Sequence, residues 1–579
     1  MNGRLENSVS LFIPKPNASS RLNKTGSWRF ARPVFQNRTA PCSAFCPAGN
    51  DIPKIELQVA SGDIPGAFTT LMQETPFPST CGRICFHPCE GACNRAFQDS
   101  PVAIRSLERF VGDTALELGL ETGLKPLASN TRKVAILGAG PAGLSAAYFL
   151  TFLGFTCEIF EQSPEPGGVL RWGIPSYRLP KEILKQEIQR ILSMGITLHT
   201  NHTLAPKFIK ETQGSYEGIF ISPGLSQPRP LGIAGEDLIR DGIQFLKKVQ
   251  TGSPVVPAGK IAVIGGDNTA INVARSLLRL GGCPVIIYRR RRQDMPAFTH
   301  EIDAAENEGI EIMELTAPVT IEQEGDAFRL TLQKMLSLAS DKGERPEVKP
   351  DKVRPWGRTF SAVYSGIGAQ VNGEWSSRKN VREMKLSHLT LSFRDPLLLF
   401  GGDPVNQNQS VADAIASGKQ AAIALHTYME GGRGAIEETL ETCRTGNRNN
   451  LSMEIYLLGA RSRRSRRVVG PEEINRDSFE TALRQMPETA PLNNAVSSFS
   501  EIEKTFTGED AVAEAARCYQ CGYCNECDNC GTFCPEVSIF RAKEVRNIDL
   551  DDCKECGICA VECPRGAITM EEDNEKTGG

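Results

Sequence analysis

Two runs toward the end of the chain place thiols at regular intervals. Cys524, Cys527, Cys530 and Cys534 precede Pro535, and Cys553, Cys556, Cys559 and Cys563 precede Pro564. Each run is C-x2-C-x2-C-x3-C-P, a spacing whose thiolates wrap an iron–sulfur cube; in two-cluster ferredoxins the fourth cysteine of each run ligates the other cube. That rule groups Cys524, Cys527, Cys530 and Cys563 in one set and Cys553, Cys556, Cys559 and Cys534 in the other. Zinc also accepts C-x2-C pairs, but the two C-P endings favour iron–sulfur. Cys518 and Cys521 precede the first run and fall outside the pattern, so they are expected to be non-ligating residues that brace the entrance to the tail. Of nineteen cysteines, six lie between Cys42 and Cys93, ten between Cys518 and Cys563, and Cys157, Cys283 and Cys443 stand alone. In a long chain whose first residues do not resemble a signal peptide, such clustering reads as metal ligation rather than disulfides.

A second chemistry is carried by glycine. KVAILGAGPAGLSAAYFL offers an apolar strand, then Gly138, Gly140 and Gly143 at G-x-G-x-x-G spacing, then an Ala-rich helix. These glycines permit the tight turn, the approach of a pyrophosphate and the close packing of helix on strand, with the helix N-terminus facing the anion. The next strand, CEIFE, ends at Glu161, where a carboxylate can accept both hydrogen bonds of an adenosine ribose. KIAVIGGDNTAINVARSLLRLG repeats the layout with Gly265, Gly266, Asn268, Thr269 and Ala270, and its following strand, PVIIY, ends in four arginines rather than an acid. Arg289 and Arg290 stand where an adenosine 2′-phosphate would lie, which favours NADPH over NADH. Asp267 disturbs this second site: it occupies the position of a glycine and would repel phosphate unless it turns away or is itself hydrogen-bonded. After a third apolar strand, Gly401, Gly402 and Asp403 open another helix, at a turn where an acid can hold the ribityl or phosphate part of a flavin. No cysteine pair adjoins either glycine turn, which disfavours a disulfide-reductase mechanism.

These motifs divide the chain. Residues 1–40 read as an extended arm, 41–130 as a helical iron–sulfur domain, 131–250 with 361–430 as an FAD domain, 251–360 as an NAD(P)H domain inserted in it, 431–515 as an exposed connector with a solvated basic run, and 516–579 as a ferredoxin domain. The expected fold class is therefore multidomain: a helical N-terminal domain, two Rossmann-like α/β domains, one inserted in the other, and an α+β tail. A net charge of −4 gives no reason to expect nucleic acid, and no apolar run reaches the roughly 20 residues a membrane span requires. A soluble, cytoplasmic protein is expected.

Taken together, PCSAFCPAGNDIP, CGRICFHPCEGACNRAF, LERF, GAGPAGLSAA, GGVLRWGIPSYRLP, GGDNTAINVAR and YRRRRQDMPA resemble the small (beta) subunit of glutamate synthase and its relatives, among them the NADPH-dependent subunit of ferredoxin:NADP transhydrogenase and the N-terminal half of dihydropyrimidine dehydrogenase. The fused tail resembles a narrower branch that includes the flavoprotein associated with dissimilatory sulfite reductase. The resemblance implies that FAD is held by Glu161, Gly168, Arg178 and Asp403, and one [4Fe–4S] cluster by Cys46, Cys85, Cys89 and Glu108. In that family a second N-terminal cluster uses two further cysteines that would fall at Val34 and Asn37; it is expected to be missing here, leaving Cys42, Cys81 and Cys93 as relicts or auxiliary ligands.

The implied activity is electron exchange between NAD(P)H and a redox partner protein or ferredoxin-dependent oxidoreductase subunits, through FAD and clusters, with no catalytic side-chain acid or base. Direction, acceptor, and the choice between homodimer and hetero-oligomer stay open. So do three other readings: an assembly subunit with an inactive nicotinamide site, the glutamate synthase small subunit proper, and a self-contained reductase.

Overall fold

The computed structural model describes residue 26 and residues 29–573, apart from 203–204, 213, 253, 339–344, 372–382, 407, 460–463 and 543–544. Most of the expected N-terminal arm and the start of the basic run, 461–463, lie outside the described residues.

Short apolar runs become parallel strands buried on both faces. Lys133–Leu137 lies inside a seven-stranded sheet ordered Glu383–Lys385, Leu389–Ser392, Leu397–Gly401, Gly218–Ile221, Lys133–Leu137, Thr156–Phe160, Thr197–His199. The five strands from Leu397–Gly401 onward are parallel. The helix Pro141–Phe152 is apolar all round because it is covered twice, by the sheet and by the helix Val411–Gly431. Gly418 makes that contact close: a Cβ there would sit 2.5 Å from the Ala142 carbonyl oxygen.

A second sheet, ordered Glu311–Met313, Cys283–Ile287, Lys260–Ile264, Ala362–Ser365, Arg240–Asp241, is parallel throughout. In sequence it lies wholly between Gly218–Ile221 and Glu383–Lys385 of the first sheet. Its limits differ from the expected 251–360. Arg240–Asp241 and the helix Gly242–Gln250 already belong to it, and so does Ala362–Ser365, because Phe245, Leu246, Ala362 and Tyr364 bury their apolar surface in its core. The two crossings run side by side, Gln227–Pro228 pairing antiparallel with Ala369–Gln370. An antiparallel patch of Thr316–Glu324, Ala327–Ser337, Val348–Pro350 and Trp356–Phe360 packs on the second sheet through Ile321, Leu330, Leu332 and Phe360.

The N-terminal helices, Ile52–Ala60, Ile64–Met72, Pro78–Ile84 and Ile104–Glu117, share one core with the first fold. Glu187, buried in the helix Lys181–Leu192, accepts the N–H groups of Ser79 (2.7 Å) and Thr80 (3.1 Å) and so caps the helix that leads to Cys85. A deeper anchor is Glu74. Its carboxylate pairs with Lys419 of the helix Val411–Gly431 and with Arg464, and accepts from Ser452 Oγ (2.6 Å) and the N–H groups of Met453 (2.9 Å) and Glu454 (3.2 Å). Lys419 is 1 % exposed and donates as well to the carbonyls of Ala48 and Leu451.

The segment expected to be an exposed connector is therefore part of the packing. Met453 is fully buried, Glu501 pairs with Arg83 at 2.7 Å and Glu503 with Arg105 at 2.9 Å. The basic run is not one solvated face either: the Arg464 side chain is buried against Glu74 and Glu454, whereas Arg466 and Arg467 are open to solvent. The tail forms the hairpin Ile539–Ala542/Val545–Ile548. Its strand Ile568–Glu572 pairs antiparallel with Ala31–Phe35 from the opposite end of the chain.

Lys419→Met would leave a buried carboxylate without its central cation. The expected loss is about 3 kcal/mol, at the lower end for breaking a buried pair from one side, read as a lower midpoint in urea unfolding followed by fluorescence.

Candidate functional site

A cleft of about 860 Å³ opens at the second glycine turn and is lined by residues of three regions. From the second fold come Gly265, Gly266, Asp267, Asn268, Arg289 and Arg290; from the start of the flavin-side helix, Asn408, Gln409 and Ser410; from the N-terminal domain, Phe86. The turn is tight. Gly265 has φ +140°, and a Cβ on it would lie 1.9 Å from the Gly366 carbonyl oxygen; one on Gly266 would lie 2.5 Å from the Tyr288 ring. Thr269 stands in the first turn of the helix Asn268–Arg279, and the Asn268 side-chain oxygen accepts the Phe298 N–H at 3.1 Å.

The four arginines divide by partner. Arg291 pairs with Asp294 at 3.0 Å, and Arg292 with Asp303 and Glu306. Arg289 and Arg290 line the cleft, joined by Arg345 and Arg229 from distant loops. Arg290 Nε donates to the Pro346 carbonyl at 2.7 Å, which holds its guanidinium beside Arg345. Arg345 and Arg229 carry no local motif and could not be picked from the sequence. Phe86 had a signal, since it follows Cys85 directly.

Asp267 caps its own helix: Oδ1 accepts the Ala270 N–H at 3.0 Å. Burial pushes its carboxyl up to about 6, against the lowering effect of those backbone N–H groups and of Arg229. It is turned onto the helix N-terminus, where it occupies donors that a pyrophosphate would otherwise use.

At the first glycine turn Gly138 has φ +103°, and a Cβ on Gly143 would meet the Gly138 carbonyl oxygen at 1.9 Å. Gly168, from the Gly/Pro-rich loop, approaches Gly140 so closely that a Cβ on it would lie 2.9 Å from the Gly140 Cα. Glu161 accepts the N–H groups of Ala139 and Ser163, both at 2.7 Å, bracing the turn while each oxygen keeps a free lone pair. Gly402, at φ +72°, donates its N–H to Ser417 Oγ at 2.9 Å. Burial and the neighbouring Asp413 raise Asp403 to about 6. Arg178, which the resemblance places at the flavin, also reaches the second fold. Its guanidinium pairs with Glu301 at 2.7 Å and donates to Asn272 at 3.1 Å, both in the second fold, so it ties the two nucleotide folds together.

The cysteines gather in separate places. Cys524, Cys527, Cys530 and Cys563 line one small cavity of the tail, and Cys534, Cys553, Cys556 and Cys559 line another, in the crossed grouping. In the N-terminal core Cys46, Cys85 and Cys89 lie together with Glu108, whose carboxyl burial raises to about 8. Cys81 also neighbours Glu108 and Cys85. Cys518 and Cys521 do not stand with the tail: they pack with the N-terminal core, away from the core that holds Cys530, Cys534, Cys559 and Cys563. Among the described residues no three His, Cys, Asp or Glu side chains converge tightly enough for a single metal ion. Thiolates set around a cube stand further apart than the ligands of one ion.

A cleft shared by two parallel-sheet folds, with one cysteine cluster near it and two more in the tail, is the layout of a pyridine-nucleotide-linked iron–sulfur flavoprotein. Comparison with known proteins agrees. Residues 21–120 match the dihydropyrimidine dehydrogenase domain II family with its 4Fe-4S cluster, 132–374 the pyridine nucleotide-disulphide oxidoreductase family, and 546–569 the 4Fe-4S binding domain family. The chain is 33 % identical over 517 residues to the NADP(+)-dependent formate dehydrogenase subunit beta of Moorella thermoacetica, covering 83 % of this chain and 70 % of that one. It is 30 % identical over 400 residues to the NAD-dependent dihydropyrimidine dehydrogenase subunit PreT of Escherichia coli, covering 68 % and 92 %. To the glutamate synthase [NADPH] small chain of the same organism it is 28 % identical over 428 residues, covering 67 % and 88 %. The chain belongs to the glutamate synthase small-subunit-like family of NAD(P)H-dependent iron–sulfur flavoproteins. It is an FAD-dependent NAD(P)H oxidoreductase with 4Fe-4S domains at both ends. Among the described residues no helix is long and apolar enough to cross a membrane.

Asp267 is neutral below about pH 6 and anionic above it. ADP-ribose, which lacks a 2′-phosphate, should therefore bind about tenfold more weakly at pH 7.5 than at pH 5, a difference of about 1.4 kcal/mol. Asp267→Asn should flatten that dependence in calorimetric titrations.

Proposed function

We propose that this chain is the electron-input or electron-exchange subunit of a larger oxidoreductase, using NADPH in preference to NADH at the cleft between the two nucleotide folds. The observation that carries this reading is the shared lining of the cleft, with Arg289, Arg290 and Arg345 at the basic end, Ser410 at the head of the flavin-side helix and Phe86 next to Cys85. The arginines would hold the 2′-phosphate by guanidinium forks. Gly265 and Gly266 would admit the dinucleotide backbone. The first fold would hold FAD, with Gly138, Gly140, Gly143 and Gly168 shaping the pyrophosphate cradle, Glu161 at the ribose, and Gly402 and Asp403 at the turn before the helix. The close approach of Gly140 and Gly168 suits that group, because side chains at either position would fill the cradle. When bound, the flavin and clusters supply the conversion between two-electron hydride chemistry and single-electron transfer, and the protein supplies orientation and electrostatics.

Cys46, Cys85, Cys89 and Glu108 would hold the cluster nearest the cleft. His87 donates its N–H to Cys85 Sγ at 3.4 Å, a bond that favours the thiolate. Of the two tail sites, Cys563 Sγ accepts the Ala567 N–H at 3.3 Å, and hydrogen bonds to cluster sulfurs set potential. The domain division follows the sheets: an FAD unit around the seven-stranded sheet and an NAD(P)H unit around the five-stranded one, joined at Gln227–Pro228 and Ala369–Gln370. The relatives are named as subunits, one beta and one small chain among them, so the partner is a second redox subunit, and its chemistry decides the direction of flow.

Anaerobic titration with NADPH and NADH, following flavin and cluster absorbance, tests the reading. NADPH should bleach both. Arg289→Ala/Arg290→Ala should weaken NADPH binding by about 10–100-fold, on the order of 1.4–2.8 kcal/mol, with little change for NADH. Absence of bleaching by either nucleotide, with dithionite still effective, would favour the reading of an inactive nicotinamide site.

A further inference from the structure

The extra pair in the tail, Cys518 and Cys521, has the backbone of a cluster loop. Non-glycine residues with positive φ are rare, yet one stands before the second cysteine of each tail run expected to hold a cube. Glu526 (φ +60°) precedes Cys527 and Asp528 (φ +68°) follows it; Glu555 (φ +59°) precedes Cys556 and Gly557 (φ +74°) follows it. The extra pair repeats the figure, with Gln520 (φ +52°) before Cys521 and Gly522 (φ +77°) after it. Backbone turned in this way aims successive N–H groups at a concavity, as at many iron–sulfur sites. One such bond is already made, from the Gln520 N–H to Cys518 Sγ at 3.4 Å, matching that from His87 to Cys85.

The loop bridges the N-terminal domain and the tail: its Gly522 N–H donates to the Arg565 carbonyl at 2.6 Å, and the N-terminal side holds it more extensively. Glu514, fully buried, accepts the Ala103 N–H at 2.7 Å. Arg517 pairs with Asp99 at 2.9 Å, and Arg95 donates to the Arg517 carbonyl at 3.2 Å. Asn94, next to Cys93, points its Nδ2 at Cys521 Sγ, 3.6 Å away. The thiols that act electrostatically on Cys42 are first Cys93, Cys518 and Cys521. Glu56 faces the same group of thiols, and its Oε2 has no hydrogen-bond partner in the structure.

We propose that Cys42, Cys93, Cys518 and Cys521 form a further [4Fe–4S] site, two ligands coming from the N-terminal domain and two from the segment before the ferredoxin tail. The site is assigned a cube rather than zinc because its loop repeats the backbone figure of the tail loops expected to hold cubes. It also explains how ten cysteines are used in the tail: eight hold the two ferredoxin cubes and two complete a site elsewhere. Its place is central. Cys42 is four residues from Cys46, Cys93 four from Cys89, and Cys521 three from Cys524. Three residues span at most about 11 Å, so the site is a direct neighbour of both the Glu108 site and the first tail site. Each passage through it moves one electron, with no bond made or broken.

The test uses the whole chain, purified without oxygen and reduced with dithionite, so it does not depend on the nicotinamide cleft. Wild type should carry about sixteen iron atoms, four cubes of four, and no stoichiometric zinc. Cys518→Ser/Cys521→Ser and, separately, Cys93→Ser should each lose about four iron atoms and the same reduced-cluster resonance, while flavin absorbance and the tail resonances persist. About twelve iron atoms in wild type would overturn the site. So would alkylation of Cys518 and Cys521 in the folded protein as readily as the exposed Cys283, or one zinc per chain. If a variant does not fold, the wild-type iron count and alkylation pattern decide the matter.

Discussion

One buried carboxylate holds the molecule's separate parts in register. Glu74 belongs to the N-terminal domain, Lys419 to the flavin-side helix and Arg464 to the segment that follows it, and all three side chains are buried. A charge removed from water is expensive unless its remaining lone pairs are met. Here they are met by Ser452 and by the Met453 and Glu454 N–H groups. Because Lys419 also binds the Ala48 carbonyl, two residues beyond Cys46, the same knot that seats the flavin-side helix fixes the loop carrying an expected cluster ligand. Glu187 acts in parallel, capping from the first fold the helix that leads to Cys85.

Around these anchors, packing is governed by small residues. Gly418 lets the flavin-side helix lie on Pro141–Phe152, so the head of that helix, at Ser410, reaches the cleft that also holds Gly265 and Gly266. Arg178 reaches from the first fold into a charged cluster of the second, in which Arg178 and Arg275 share Glu301 while Arg275 and Arg279 share Glu308. Burial would penalise any one of these charges alone; alternation of sign makes the cluster tolerable.

What was legible in the sequence was local. Both glycine turns, the acid at Glu161, the arginines at Arg289 and Arg290 and the two C-x2-C-x2-C-x3-C runs depend on spacings of a few residues, and such spacings are fixed by strand, turn and helix geometry; the crossing of the runs came from the two-cluster ferredoxin pattern. What escaped depends on residues far apart in the chain. Arg345 joins the cleft from a loop without a motif. The limits of the second fold fell at Arg240 and Ser365 because apolar side chains there choose one core over another, a choice made by tertiary packing. The loop Cys518–Cys521 looked surplus because its counterparts, Cys42 and Cys93, lie more than four hundred residues earlier.

The pairing of Ala31–Phe35 with Ile568–Glu572 closes the molecule like a clasp, reinforced by the buried pair of Arg29 and Asp573 at 2.6 Å. During synthesis at about 5–20 residues per second, the first strand waits on the order of a minute for its partner to leave the ribosome. Over that interval an unpaired strand edge is exposed, the kind of surface that recruits chaperones or wrong neighbours. A chain that stops short of residue 568 would keep both nucleotide folds yet leave that edge open.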